Sequence, residues 1–93
     1  MRDLHVRVYT QRRCHQCRAT LLRFMKRGAW VEEAPAFEHL DFLHGLGLTM
    51  APGVVVSDGD EILDSWGGFI PSKVDQWARE LRLNVGISAE AAW

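Results

Sequence analysis

The sequence predicts one small α/β domain in which a mixed four-stranded sheet carries helices on both faces. Three observations lead there. Short apolar runs alternate with segments of helical spacing in the order β-α-β-α-β-β-α. The last two extended runs are joined by Ser57-Asp58-Gly59-Asp60, and an Asp-Gly between such runs signals an antiparallel hairpin. A length of 93 residues leaves room for one core, and 47% hydrophobic with 25% charged residues fits a folded globular chain rather than disorder.

Leu4, Val6, Val8 and Thr10 alternate with His5, Arg7 and Tyr9, a period of two that reads as the first strand. From Cys17 the positions Cys17, Leu21, Phe24, Met25 and Gly28 follow helical spacing, and Gly28 suits a C-terminal stop. Trp30-Val31-Glu32-Glu33 allows a short second strand before Pro35. Phe37, Leu40, Leu43, His44 and Gly47 then predict a helix over Ala36 to Leu46. Gly53-Val54-Val55-Val56 and Glu61-Ile62-Leu63-Asp64-Ser65-Trp66 are the hairpin strands, and Gly67-Gly68 ends the second. Pro71 suits a first helical turn, and Val74, Trp77, Ala78 and Leu81 make one apolar stripe over the final helix. After Leu83 the pattern stops, so the domain is read as residues 1–83, with 84–93 a frayed tail docking at most through Trp93.

No run approaches the roughly 18 apolar residues of a spanning helix, and Met1 to Arg7 lacks the apolar middle of a signal peptide. A cytoplasmic monomer with no membrane attachment is expected. The net charge of −1 hides an asymmetry: Arg7, Arg12, Arg13, Arg18, Arg23, Lys26 and Arg27 fall in a stretch with no Asp or Glu. No nucleic-acid motif accompanies these residues, so nucleic acid is not expected as a partner. For Arg23, Lys26 and Arg27 a solvated helix face is the plain reading.

The chemistry concentrates in Cys14-His15-Gln16-Cys17, where the first strand runs into the first helix. A Cys-x-x-Cys there sets one sulfur near unsatisfied backbone N–H groups and the positive end of the macrodipole, where a thiolate is favoured, with the second sulfur one turn inward. Cys14 is the candidate nucleophile and Cys17 the resolving residue of a dithiol-disulfide exchange. Arg12, Arg13 and His15 add positive charge beside Cys14, which stabilises the reduced form and makes the disulfide more oxidising; a solvent-facing His15 without that role is the competing reading. The alternatives for the pair are two inert core cysteines or half a zinc site. A closed site normally takes four ligands, and His5, His15, His39 and His44 lack ligand-like spacing to the cysteines, so no metal or other cofactor is expected.

Val8-Tyr9-Thr10 leading to Cys14-His15-Gln16-Cys17, Ala51-Pro52 before Val54, and Trp66-Gly67-Gly68-Phe69-Ile70-Pro71 together resemble the thioredoxin superfamily in its compact glutaredoxin-like form, and within it the NrdH-type redoxins. The last stretch resembles the family's Trp-Ser-Gly-Phe-x-Pro, with Gly67 where Ser is usual. Arg12-Arg13 stand where a Lys and a Pro are common, Gly53 is an extra residue after the proline, and the stretch from Gly28 to Pro52 is shorter than usual. The resemblance implies a cis peptide between Ala51 and Pro52, backbone there offered to a substrate chain, and a groove bordered by Trp66, Gly67, Gly68 and Phe69. For Trp66 and Phe69, packing in the core is the competing reading. Gln16 marks specificity only through the resemblance. The implied activity is that of a thiol-disulfide oxidoreductase, an electron carrier reduced by thioredoxin reductase and donating to class Ib ribonucleotide reductase or another disulfide-bearing protein. Two readings compete with it. One is a glutathione-dependent glutaredoxin, whose glycine pair Gly67-Gly68 resembles, but with no acid following until Asp75; the other is a non-catalytic module holding a metal or cluster.

Overall fold

The computed structural model describes the backbone of residues 2–92 and side chains through Asn84. Its central strand is β1 (Leu4–Thr10), flanked by a parallel β2 (Glu32–Pro35) and an antiparallel β3 (Gly53–Asp58), with β4 (Glu61–Gly67) antiparallel beyond β3; the sheet order is β2-β1-β3-β4. The helices are α1 (His15–Lys26), α2 (Leu40–Gly45) and α3 (Pro71–Ala92). This is a thioredoxin-like fold.

The two faces of β1 are filled separately. Leu4, Val6 and Val8 point with Val54, Val56 and Trp66 into a core closed by Phe24 of α1 and by Val74, Trp77, Ala78 and Leu81 of α3. Full burial of side chains such as Phe24 and Val54 stabilises by roughly 1.5–3 kcal/mol each. On the opposite face Tyr9 and Val55 pack against Leu43 of α2, and Tyr9 meets the His39 ring edge-on at 5.1 Å. The hairpin closes through Asp58 paired with Glu61, with Gly59 at φ +58°, a left-handed conformation that suits glycine.

Several elements depart from the sequence expectation. The second strand begins at Glu32 rather than Trp30, because cross-strand contacts choose its register: Arg7 donates to Glu32 Oε2 at 2.9 Å and Thr10 Oγ1 donates to Glu33 Oε2 at 2.8 Å. Trp30 is left 85% exposed. The second helix is shorter than Ala36 to Leu46, opening as a 3-10 turn over Ala36–Glu38 and becoming α-helical only at Leu40. Of its periodic residues Leu43 alone is buried, and Phe37 is 74% exposed. Met25, read on the apolar stripe of α1, is exposed. The backbone of α3 runs on to Ala92, past the end of its apolar stripe at Leu81; Trp93, the expected docking residue of the tail, lies outside the described residues.

Arg23 and Arg27 do more than solvate a helix face. Arg23 binds the Asp75 carboxylate through two 2.8 Å hydrogen bonds, and Arg27 Nε adds a third at 3.1 Å, tying α1 to α3. The Arg23 guanidinium beside it brings the Asp75 carboxyl down to about 2, with Arg27 adding to the effect. Deeper in the fold, Asp64 on β4 accepts from Lys73 Nζ at 2.9 Å and Trp77 Nε1 at 2.9 Å, both on α3. Burial raises the Asp64 carboxyl, but these hydrogen bonds outweigh it and hold the group below its ordinary value.

Candidate active site

β1 delivers the chain through a tight turn in which Arg13 adopts φ +53°, and Cys14 then caps α1 with extended backbone. The Cys14 Sγ accepts the Cys17 backbone N–H at 3.0 Å, so the sulfur faces the donor end of the helix. Cys14 and Cys17 form a disulfide with Cα atoms 5.2 Å apart. Cys17 is 3% exposed, whereas Cys14 is half-buried and reachable from solvent. No acid occupies the first turn of α1 to oppose negative charge on Cys14. Among the described residues, Arg12, Arg13 and Arg18 are exposed and make no ion pair. Unlike Arg23 and Arg27, they remain available to raise the local potential.

One groove borders the pair and a second adjoins the first. The first, of about 370 Å³, is lined by Arg13, Cys14, Cys17, Arg18 and Leu22 among others. The other, of about 560 Å³, is lined by Arg12, Ala34, Pro35 and Phe37; both share Thr10, Gln11 and Glu33. Gln11 and Phe37 were not singled out in the sequence as site residues. Phe37 lies at helical spacing from Leu40 and Leu43, which disguises a surface aromatic as a core one.

His15 is the first residue of α1 and points to solvent. Gln16 reaches across to the loop after β4, where its Oε1 accepts the Phe69 N–H at 2.9 Å. The Ala51–Pro52 peptide is cis, Pro52 is buried, and its carbonyl accepts the Gly68 N–H at 2.8 Å. Gly68 has φ +84°, a left-handed backbone that favours glycine, and a Cβ there would lie 3.0 Å from Gln16 Oε1 and press on that acceptor. The helix bearing the cysteines, the cis-proline loop and the Gly68–Phe69 loop are thereby joined. Trp66 lies elsewhere: it is 4% exposed, belongs to the core beneath α3, and has Lys73 Nζ 5.5 Å from its ring centroid. Phe69 is half-buried and packs against that same core. Among the described residues no group of three or more His, Cys, Asp or Glu side chains is placed to hold a metal ion.

No protein-family model matches the chain, and no curated protein matches it in sequence. Solved structures do match. NrdH-redoxin from Escherichia coli, a glutaredoxin-like protein with a thioredoxin-like activity profile, superposes with a TM-score of 0.68 at 28% identity, over 77% of this chain and 92% of its own. A thioredoxin of Malassezia sympodialis matches with a TM-score of 0.65 at 17% identity, covering 85% of this chain and 75% of its own. Mitochondrial thioredoxin 3 of Saccharomyces cerevisiae, in its oxidised form, gives 0.66 at 15% identity, covering 87% and 81%. At those two identities the likeness speaks for the fold.

A disulfide spanning Cys-x-x-Cys at the start of the first helix of this fold defines a thiol-disulfide oxidoreductase of the thioredoxin superfamily. Within that class the chain fits the NrdH-type redoxins, given its similarity to the Escherichia coli protein over nearly all of that protein's length.

Proposed function

We propose that the protein is a cytoplasmic electron carrier that takes electrons from thioredoxin reductase and passes them to a disulfide-bearing acceptor, with class Ib ribonucleotide reductase the leading candidate. The observation that carries the direction of the chemistry is the asymmetry of the pair, a half-buried Cys14 at the helix N-terminus over a Cys17 that is 3% exposed. In the reduced protein the Cys14 thiolate attacks one sulfur of the acceptor disulfide. A mixed disulfide forms and the acceptor's other sulfur leaves as a thiolate that takes up a proton. Cys17, deprotonated in turn, attacks Cys14 Sγ, re-forming the intramolecular disulfide and releasing the second acceptor thiol. Two electrons and two protons have passed to the acceptor, and the reductase restores the dithiol.

Arg12, Arg13 and His15 favour the thiolate of Cys14 by their charge, and Gln16 positions the partner-facing loop. Ala51 and Pro52 offer backbone to the acceptor chain, with Gly67, Gly68 and Phe69 forming the opposite border. Trp66 supports that border from the core. The redox unit is residues 1–83, and one copy suffices for the cycle.

The test supplies the oxidised protein with NADPH and thioredoxin reductase, or with NADPH, glutathione reductase and glutathione. Fast reduction by the first system alone is the expected result, and it leads to a ribonucleotide reductase assay for the acceptor. Reduction by glutathione alone replaces this reading with that of a glutaredoxin. Reduction by neither returns the pair to a binding role, checked by the metal content of protein purified without chelator.

A further inference from the structure

Met50 lies at the disulfide-bearing end of the molecule, and neither the exchange chemistry nor the core accounts for it. It is 56% exposed, although methionine is a side chain that readily fills core gaps. Nor does it hang free. A Cβ built on Gly67 would lie 3.0 Å from Met50 Cγ and 3.3 Å from its carbonyl oxygen, and one on Gly68 would lie 3.4 Å from Met50 Cε. The thioether is therefore laid lengthwise across both glycines. That same Cβ position on Gly68 is 3.0 Å from Oε1 of Gln16, a residue lying between the two cysteines, so Met50 and Gln16 flank Gly68 together. The following peptide is cis Ala51–Pro52.

The two glycines serve different ends. Gly68 needs its freedom for φ +84°, but Gly67 is a β4 residue outside the left-handed region, so its missing side chain is explained by the space Met50 occupies. Met50, Ala51, Gly67, Gly68 and Phe69 bring no charged side chain to this lip. A charged residue of a docked chain laid against it would lose hydration and gain no partner, whereas an apolar one would lose only its contact with water.

We infer that Met50 is a specificity-determining residue, an apolar lip over Gly67 and Gly68 that selects acceptor segments carrying an apolar side chain next to the attacked cysteine. The inference rests on the thiol-disulfide reading above and adds the chemistry of the segment it accepts.

Two synthetic disulfide peptides, identical except for Leu or Asp beside the target cysteine, test it with dithiothreitol as electron source. The readout is the ratio of their kcat/KM values, with a small aromatic disulfide as a third substrate. The wild-type protein prefers the Leu peptide. Met50→Ala lowers that preference by roughly tenfold, chiefly through KM, the scale of lost apolar contact at a specificity site. Met50→Leu keeps the preference, and Gly67→Ala, whose Cβ crowds Met50, reduces it. A wild-type protein that reduces the small disulfide but treats both peptides alike overturns the inference while leaving the thiol-disulfide reading intact. So does a Met50→Ala variant with an unchanged ratio. A wild-type protein inert toward all three substrates overturns both.

Discussion

Gln16 Oε1 accepts the backbone N–H of Phe69 at 2.9 Å, joining residues 53 positions apart in the chain. With the Gly68 N–H bonded to the Pro52 carbonyl, this single side chain couples the Cys-x-x-Cys turn to the loop that borders the partner groove. Gln16→Ala removes the acceptor and leaves the amide to water. A loss of about 0.5–1.5 kcal/mol is expected, several degrees in Tm for a domain of this size. Gln16→Glu keeps an acceptor and retains that stability at neutral pH, but places negative charge between the cysteines and raises the Cys14 pKa. Thermal unfolding with a pH profile of thiol alkylation separates the two effects. An Ala variant as stable as the parent would show that the hydrogen bond holds nothing in place.

Much of this arrangement could be read from the sequence, and the reasons are local. Leu4, Val6 and Val8 are buried while His5 and Arg7 are exposed, because successive residues of a strand face opposite ways and the larger core covers only one side of β1; Tyr9 breaks the alternation because α2 covers the other side at the strand's end. The final helix was equally plain, since Val74, Trp77, Ala78 and Leu81 all turn into one core. What escaped was set by partners far along the chain. β2 takes its register from Arg7 and Thr10, which no property of Glu32 or Glu33 alone reveals. In the sequence Asp75 is only the first acid after Gly67-Gly68, whereas in the fold it anchors two arginines of α1. Phe37 kept helical spacing without a helix to bury it. At the site, Cys14 and Cys17 stand out by spacing. Met50 does not, because its significance lies in the two glycines beneath it.

The Asp75 pair makes a defined pH prediction. Its carboxyl sits at about 2 in the folded protein against an ordinary 3.8, because Arg23 and then Arg27 bond the ionised form. The folded value is depressed, so the stabilisation is present above the unfolded value and is lost as pH falls from there through about 2. Asp75→Asn should be less stable than the parent at neutral pH, and the gap should close as acid protonates the wild-type carboxyl. Denaturant midpoints measured over the acid range check this. A gap that stays constant down to the lowest pH would assign the loss to packing instead.

Asp64 answers to a different balance. Its side chain is 21% exposed and serves Lys73 Nζ and Trp77 Nε1 at once, beside a Trp66 whose Nε1 is buried and has no hydrogen-bond partner. Asp64→Ala strands an ammonium and an indole N–H and should cost about 1–3 kcal/mol. Asp64→Asn preserves an acceptor for Trp77 and should cost less. Adding Lys73→Met to the Ala variant should recover part of the loss, since the unpaired charge is then gone. Non-additivity in this cycle by chemical denaturation is the deciding quantity, and strictly additive losses would mean that the pair is uncoupled.

Arg13 holds φ +53° in the turn just before Cys14, a left-handed backbone that costs a non-glycine residue roughly 1–2 kcal/mol. Arg13 lines the groove with Cys14 and Cys17, so one residue combines backbone strain with a cationic side chain next in sequence to the nucleophile. Arg13→Gly relieves the strain, and the extra freedom glycine has in the unfolded chain offsets about 0.4–1 kcal/mol of that relief. The variant should be as stable as the parent or slightly more so, while its Cys14 alkylates more slowly at neutral pH because the thiolate has lost a cation. Arg13→Lys should restore the alkylation rate without changing stability, and Arg13→Val, β-branched in a left-handed turn, should lose on both counts. Unfolding midpoints and alkylation profiles of the three variants separate strain from charge. A Gly variant less stable by more than about 1 kcal/mol would mean that the arginine side chain holds the turn together and that the strain argument fails.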